Sequence, residues 1–158
     1  MFKPTLVLVE ALRDLISRLA AAGCTEVAEH EHALDAALAH ARPDVTAVLL
    51  RLARSALLHG VEPGRDVMAA ACRAGCAELG ARHPGSAIEV RVPPFAAVQV
   101  GFGSGPTHTR GTPPNVAEFT PEAFLRVAVG LEGLDGAAGV RTSGAHVSDV
   151  GRGLPLLD

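Results

Sequence analysis

The chain has 158 residues, 48% hydrophobic and 20% charged, values that fit one globular domain able to bury its own core and exclude wholesale disorder. A net charge of −3, only 3% aromatic residues and neither Trp nor Tyr exclude a broad basic footprint and the stacking platforms that nucleic acid requires. No nucleic-acid partner is expected.

Leu6 to Val9 is a short apolar run cut by Glu10, too short for a signal-peptide core or a membrane span. No integral membrane segment and a soluble, cytoplasmic protein are therefore expected. Leu8, Leu12, Leu15, Ile16 and Leu19 fall on one stripe, which predicts a helix from about Thr5 to Ala22. Gly23 stops it. Thr25 is the expected cap of a second helix to about Ala41, with Glu26 and Glu29 in its first turn and Val27, Leu34 and Leu38 inward. Pro43 and Asp44 break the chain. Val45, Val48, Leu49, Leu52 and Ala56 mark a third helix, ended by Gly60. Met68, Cys72, Gly75, Cys76 and Leu79 mark a fourth, ended by Gly80. With Cys24 the cysteines number three and lack framework spacing, so a disulfide-stapled secreted domain is not expected.

His83-Pro84-Gly85-Ser86 is a turn signal, and the period then switches from 3.6 to 2. Ile88, Val90 and Val92 alternate with Glu89 and Arg91 as a half-buried strand. Pro93-Pro94 forces a turn or an edge. Val98, Val100 and Phe102 form a second strand, and the short link between the two predicts an antiparallel pair. Gly103 to Pro106 reads as a loop, Thr107 to Arg110 as a third strand and Val116 to Phe119 as a fourth. Thr120-Pro121-Glu122 is a strong helix start, with Phe124, Leu125, Ala128 and Leu131 inward. Val140 to Ser143 closes as a last strand. The fold class is α+β: N-terminal helices, then a mostly antiparallel sheet with a helix embedded.

Several words of the second half carry a family pattern: Val90-Arg91-Val92-Pro93-Pro94-Phe95, then Ala97-Val98-Gln99, then His108-Thr109-Arg110-Gly111-Thr112-Pro113-Pro114-Asn115-Val116, and Gly139-Val140-Arg141-Thr142-Ser143-Gly144 near the end. In these words, and from about Val67 onward, the chain resembles the bacterial branch of the sterol carrier protein type-2-like family, the small sterol carrier family proteins of actinobacteria. The resemblance implies a twisted sheet of about five strands with helices on one face. It also implies an apolar cavity between them that binds sterols, fatty acids or acyl-CoA without catalysis. Two departures stand out. His146-Val147-Ser148-Asp149 replaces the family's Asp-Leu-Ser final helix, and the first 60 residues are longer than the usual lead-in. The expected division is a helical segment over 1–62 and a sterol-carrier-like α/β domain over 63–158, with no flexible linker between.

Val92, Val98 and Val100 share the uncharged side of their strands, facing Phe124 and Leu125, with Phe119 entering the same space. With Phe95 they are the expected walls of a ligand cavity. Arg91 and Arg110 are candidates to meet an anionic head group bidentately, although pairing with Glu89 or Glu118 is the commoner use of such arginines. Asn115, after the Thr-Pro-Pro turn, is a candidate rim residue, although turn residues mostly hold turns.

Glu29, His30, His32 and His40, with His59 on the next helix, invite a metal reading. But His30 and His32 splay around the helix, and a solvated polar face is favoured, so no metal and no cofactor are expected. Cys72 and Cys76 are read as small buried hydrophobes. No catalytic residue is assigned, because the chain lacks a nucleophile elbow, a phosphate loop and a His-Glu-x-x-His. Gly101-x-Gly103-x-Gly105 opens no helix.

The expected function is non-catalytic binding or carriage of an apolar or amphipathic small molecule, with a homodimer left open. The alternatives are an accessory domain of a thiol-dependent metalloenzyme and a structural or interaction module with a filled core.

Overall fold

A computed structural model of the protein describes residues 1–102 and 115–157. Four helices come first, α1 (Leu6–Ala21), α2 (Val27–Ala39), α3 (Thr46–His59) and α4 (Arg65–Arg82). Then follow β1 (Ile88–Val92), β2 (Ala96–Val100), β3 (Val116–Phe119), α5 (Pro121–Ala128), β4 (Val140–Ser143) and a 3-10 helix over Val147–Gly153. The expected loop 103–106, the expected strand at Thr107 to Arg110, and Gly111 to Pro114 lie outside the described residues.

The local signals act largely as read. Thr5 caps α1 through its hydroxyl on the Leu8 N–H, and the whole Leu8-to-Leu19 stripe is buried. Gly60 ends α3 in the left-handed region, and Thr120 caps α5 ahead of Pro121. Two boundaries differ. Glu26 rather than Thr25 stands at the head of α2, with no side-chain cap. Gly80 does not end α4, which runs on to Arg82. A Cβ at Gly80 would lie 2.6 Å from Val98 Cγ2, so this glycine serves the close approach of helix and strand rather than termination.

The sheet order among the described residues is β2-β1-β3-β4. β1 and β2 are adjacent and antiparallel, with Val90 opposite Val98, as expected. β3 runs parallel to β1, with Val90 opposite Ala117, and β4 runs antiparallel to β3. The expected α+β sheet of about five mostly antiparallel strands holds in outline: four strands are described, two of their three pairings are antiparallel, and the parallel β1–β3 pair makes the sheet mixed. Period 2 reveals strands but not their neighbours.

One face of the sheet is apolar: Ile88, Val90, Val92, Val100, Ala117 and Phe119 are all buried. The reverse face carries Glu89, Arg91, Gln99, Glu118 and Arg141. α4 lies over β2, and α5 packs on both α4 and β3. The helix nearest Val98 is therefore α4, whereas the sequence reading placed α5 there. Phe124 packs edge-on against Phe119 at 5.7 Å between ring centroids. Its ring closes on α4 where Gly75 leaves room, a Cβ there meeting Phe124 Cε1 at 2.9 Å.

α1, α2 and α3 do not form a separate layer. α3 touches α1, α2, α4 and α5, and one apolar cluster runs from Leu8 through Leu49 and Leu79 to Leu156. Each fully buried leucine in it contributes about 1.5–3 kcal/mol of apolar transfer.

Candidate functional site

The expected cavity residues fall into two groups. Val92, Val100, Phe119, Phe124 and Leu125 are no more than 1% exposed and pack together in the layer between sheet and helices. Phe95 and Val98 are only half-buried and come together at the β1–β2 hairpin end. With Arg73, Cys76, Ala77, Ala96 and Ala97 they line a concavity of about 320 Å³ between α4 and β2.

The hairpin turn is short, closed by the Phe95 N–H donating to the Val92 carbonyl at 2.8 Å. It holds Phe95 at the crest between that concavity and a second of about 400 Å³, lined by Arg91, Pro93, Pro94, Phe95, Ala96, Ala97 and Glu118. Three arginines surround this aromatic. The Arg65 guanidinium carbon lies 5.5 Å from the ring centroid, within cation–π range. Arg73 Nε donates to the Phe95 carbonyl at 3.3 Å. Arg91 Nε donates to buried Glu89 at 2.7 Å and stands opposite Glu118 across the parallel pair. The hairpin end is thus apolar at its floor, with Arg65 and Arg73 on one rim and Arg91, paired to Glu89, on the other.

Asn115 is buried and ties backbone to backbone. Its amide nitrogen donates to the Ala87 carbonyl at 3.1 Å, and its side-chain oxygen accepts from the His146 N–H at 3.0 Å. Arg110 lies outside the described residues. Cys72 and Cys76 are buried, and burial pushes both thiols up to about 12, with Cys76 adding to the effect on Cys72.

A larger cavity, about 650 Å³, lies at the junction of α2, α3, the end of α4 and the C-terminal tail. Ala33, Val129, Leu156 and others give it apolar walls, while Glu26, His30, Ser55, Arg51, Arg54 and Arg82 give it polar ones. His30 is buried, not on a solvated face as expected. Its Nε2 lies 2.9 Å from Ser55 Oγ, and that hydroxyl donates to Glu26 at 3.3 Å. Burial lowers the His30 pKa, assisted by Arg51 and opposed by Glu26 and Glu29. His32, His40 and His59 are exposed as expected.

Of the polar lining, which also includes Glu29, the metal reading of the sequence takes in only Glu29 and His30. The spacing of Glu26 and His30, four apart, was a readable signal for that pair. Ser55, Arg51, Arg54 and Arg82 carry none, because only the fold brings α3 and the end of α4 to α2.

Residues 64–156, from the start of α4 to the tail, match the family described as bacterial SCP ortholog, which is more than half of the chain. The chain belongs to this bacterial sterol carrier protein-like family. The resemblance carried by the Val-Pro-Pro-Phe and Thr-Arg-Gly-Thr-Pro-Pro-Asn words is thereby shown. No curated protein matched the chain. The SCP-like match begins where α4 begins, so α1, α2 and α3 lie ahead of it. No helix among the described residues is long and apolar enough to cross a membrane.

Proposed function

We propose that this protein binds and carries an apolar or amphipathic small molecule, such as a fatty acid or sterol-like lipid, without transforming it. The observation that carries the reading is the hairpin end: an apolar concavity between α4 and β2, with Phe95 at its crest and Arg65 and Arg73 beside it. Its volume stands at the lower end of the range for small-ligand pockets. In this reading the acyl or ring portion enters beside Val98. A longer ligand extends toward Val92, Val100, Phe119, Phe124 and Leu125 as α4 moves off the sheet. Apolar burial at about 25 cal/mol per Å² supplies the driving force, and the arginines favour an anionic head group. Membership of the SCP-like family supports the same class of ligand.

The test is a titration with a fluorescent fatty acid. Val98→Trp fills the concavity from the sheet and Ala77→Trp from the exposed side of α4. Each variant is expected to weaken binding about tenfold or more, which corresponds to about 1.4 kcal/mol, while thermal melts confirm that Ala77→Trp remains folded. Binding unchanged in both variants would move the site elsewhere. A parent that takes up neither fatty acid nor sterol probes would leave a structural module with a filled core.

A further inference from the structure

Cys24, Glu26 and His30 offer a sulfur, a carboxylate oxygen and an imidazole nitrogen that all lie within 4.8 Å of one another. Two turns of chain create this convergence. After α1, Gly23 takes φ +82°, and the Cys24 N–H returns to the Leu19 carbonyl, which turns the Cys24 side chain inward. Glu26 and His30 then stand one helical turn apart at the head of α2, on the same face. Cys24 is 8% and His30 6% exposed, whereas Glu26 is exposed and borders the 650 Å³ cavity together with His30 and Ser55.

From this geometry we infer that Cys24, Glu26 and His30 form a binding site for a zinc ion whose fourth position opens into that cavity. The donor set fits the metal. A thiolate and an imidazole select a borderline-soft divalent cation over magnesium or calcium, which prefer all-oxygen shells. Tetrahedral zinc with bonds of about 2.0–2.3 Å needs its donors roughly 3.5 Å apart. The donors start within 4.8 Å of one another, and Glu26, the exposed one of the three, is the freest to adjust. Ser55, within hydrogen-bond reach of both His30 and Glu26, holds two of the three ligands in place, the usual task of a residue just behind a metal's own ligands. Binding exchanges the Cys24 S–H bond for an S–Zn bond, and the proton leaves to solvent. Charges then balance, since one thiolate, one carboxylate and a neutral imidazole leave the zinc site with no net charge. The three-ligand arrangement leaves room for a water or an exogenous anion, and Arg51, Arg54 and Arg82 border the space such an anion would enter.

The experiment uses the full chain, stripped with a chelator and given zinc alone, and in parallel cobalt(II) alone. One equivalent of zinc retained through desalting is expected. Cobalt should give the near-ultraviolet charge-transfer band of a thiolate ligand. Cys24→Ser should abolish that band, and Glu26→Gln should weaken zinc binding by about tenfold or more. Glu26 is exposed, so its variant leaves the core intact and keeps the test valid if Cys24→Ser melts early. His32→Ala, on the exposed face of the same helix, should change nothing. Failure of the parent to retain zinc overturns the site. So does a cobalt band that persists in Cys24→Ser, which would assign the metal to Cys72 and Cys76.

Discussion

The residues ahead of 64 and the residues matched to the SCP-like family divide the work of the molecule unequally. The matched part supplies the sheet, the apolar layer and the hairpin end with its ring of arginines. The lead-in helices supply Glu26, Glu29, His30, Ser55, Arg51 and Arg54, the polar chemistry of the other cavity. Yet neither part completes its own surfaces. The polar cavity takes Arg82, Val129 and Leu156 from the matched part, and α4 and α5 are buried by α3. A boundary that is sharp in sequence is therefore absent from the core.

The strongest way to break this comparison is Leu49→Ala in α3. Leu49 is fully buried, and its truncation is expected to cost about 2–5 kcal/mol. If the two parts share one core, hydrogen exchange read by mass spectrometry should show equal loss of protection in α1 and in β1. Exchange that rises in α1 to α3 alone would mean that the lead-in unfolds as a unit of its own.

Gly153→Ala probes the matched part from its far end. A Cβ there would lie 2.8 Å from Leu79 Cδ1 and from Phe102 Cζ, and 2.9 Å from His83 Cδ2. Overpacking of this kind costs about 1–3 kcal/mol. The expected readout is a lower melting temperature with the transition still single. An unchanged melting temperature would mean that the 3-10 helix yields without resistance.

The smallest effect belongs to Asp44, at the start of α3. Its carboxylate accepts hydrogen bonds from the Phe2 N–H and from the N–H and hydroxyl of Thr46. Burial alone would raise its pKa, but these bonds and the N-terminal ammonium outweigh it and hold the group at about 2. A depressed folded pKa stabilises the fold above the usual carboxylate value and is lost as pH falls from about 4 to 2. Asp44→Ala should cost about 1 kcal/mol at neutral pH, the worth of a cap. Urea midpoints of parent and variant should converge in that acid window. Curves that stay parallel down to pH 2 would show that the carboxylate's charge plays no part.

The four leading helices, the first two strands with their antiparallel pairing, and the capped start of α5 were legible in the sequence, because caps, stripes and alternation are local. The parallel placement of β3 was not, since strand order depends on where a long link travels. The apolar face of Val92, Val98 and Val100 was legible from period 2. Phe95's arginine neighbours were not, because Arg65 and Arg73 lie more than twenty residues away. His30 is the instructive residue. Read with its Glu and His neighbours it was placed on a polar face, yet it stands three residues after Val27 and four before Leu34, at the border of the apolar stripe, and Ser55 gives it a partner inside.

α3 keeps only one free stripe, Ala47, Arg51, Arg54 and Leu58. Val48, Leu49, Leu50, Leu52, Ala53, Ser55 and Ala56 are buried around the rest of its circumference, so its rotation about its own axis is set from several directions at once. Ser55 keys it to His30 while its leucines key it to α1, α4 and α5. One residue inserted in its middle would turn everything downstream by about 100°, and no compensating turn could suit every neighbour. The helix thus works as a phase lock between the lead-in helices and the sheet, and a change in one half is felt in the other as a twist.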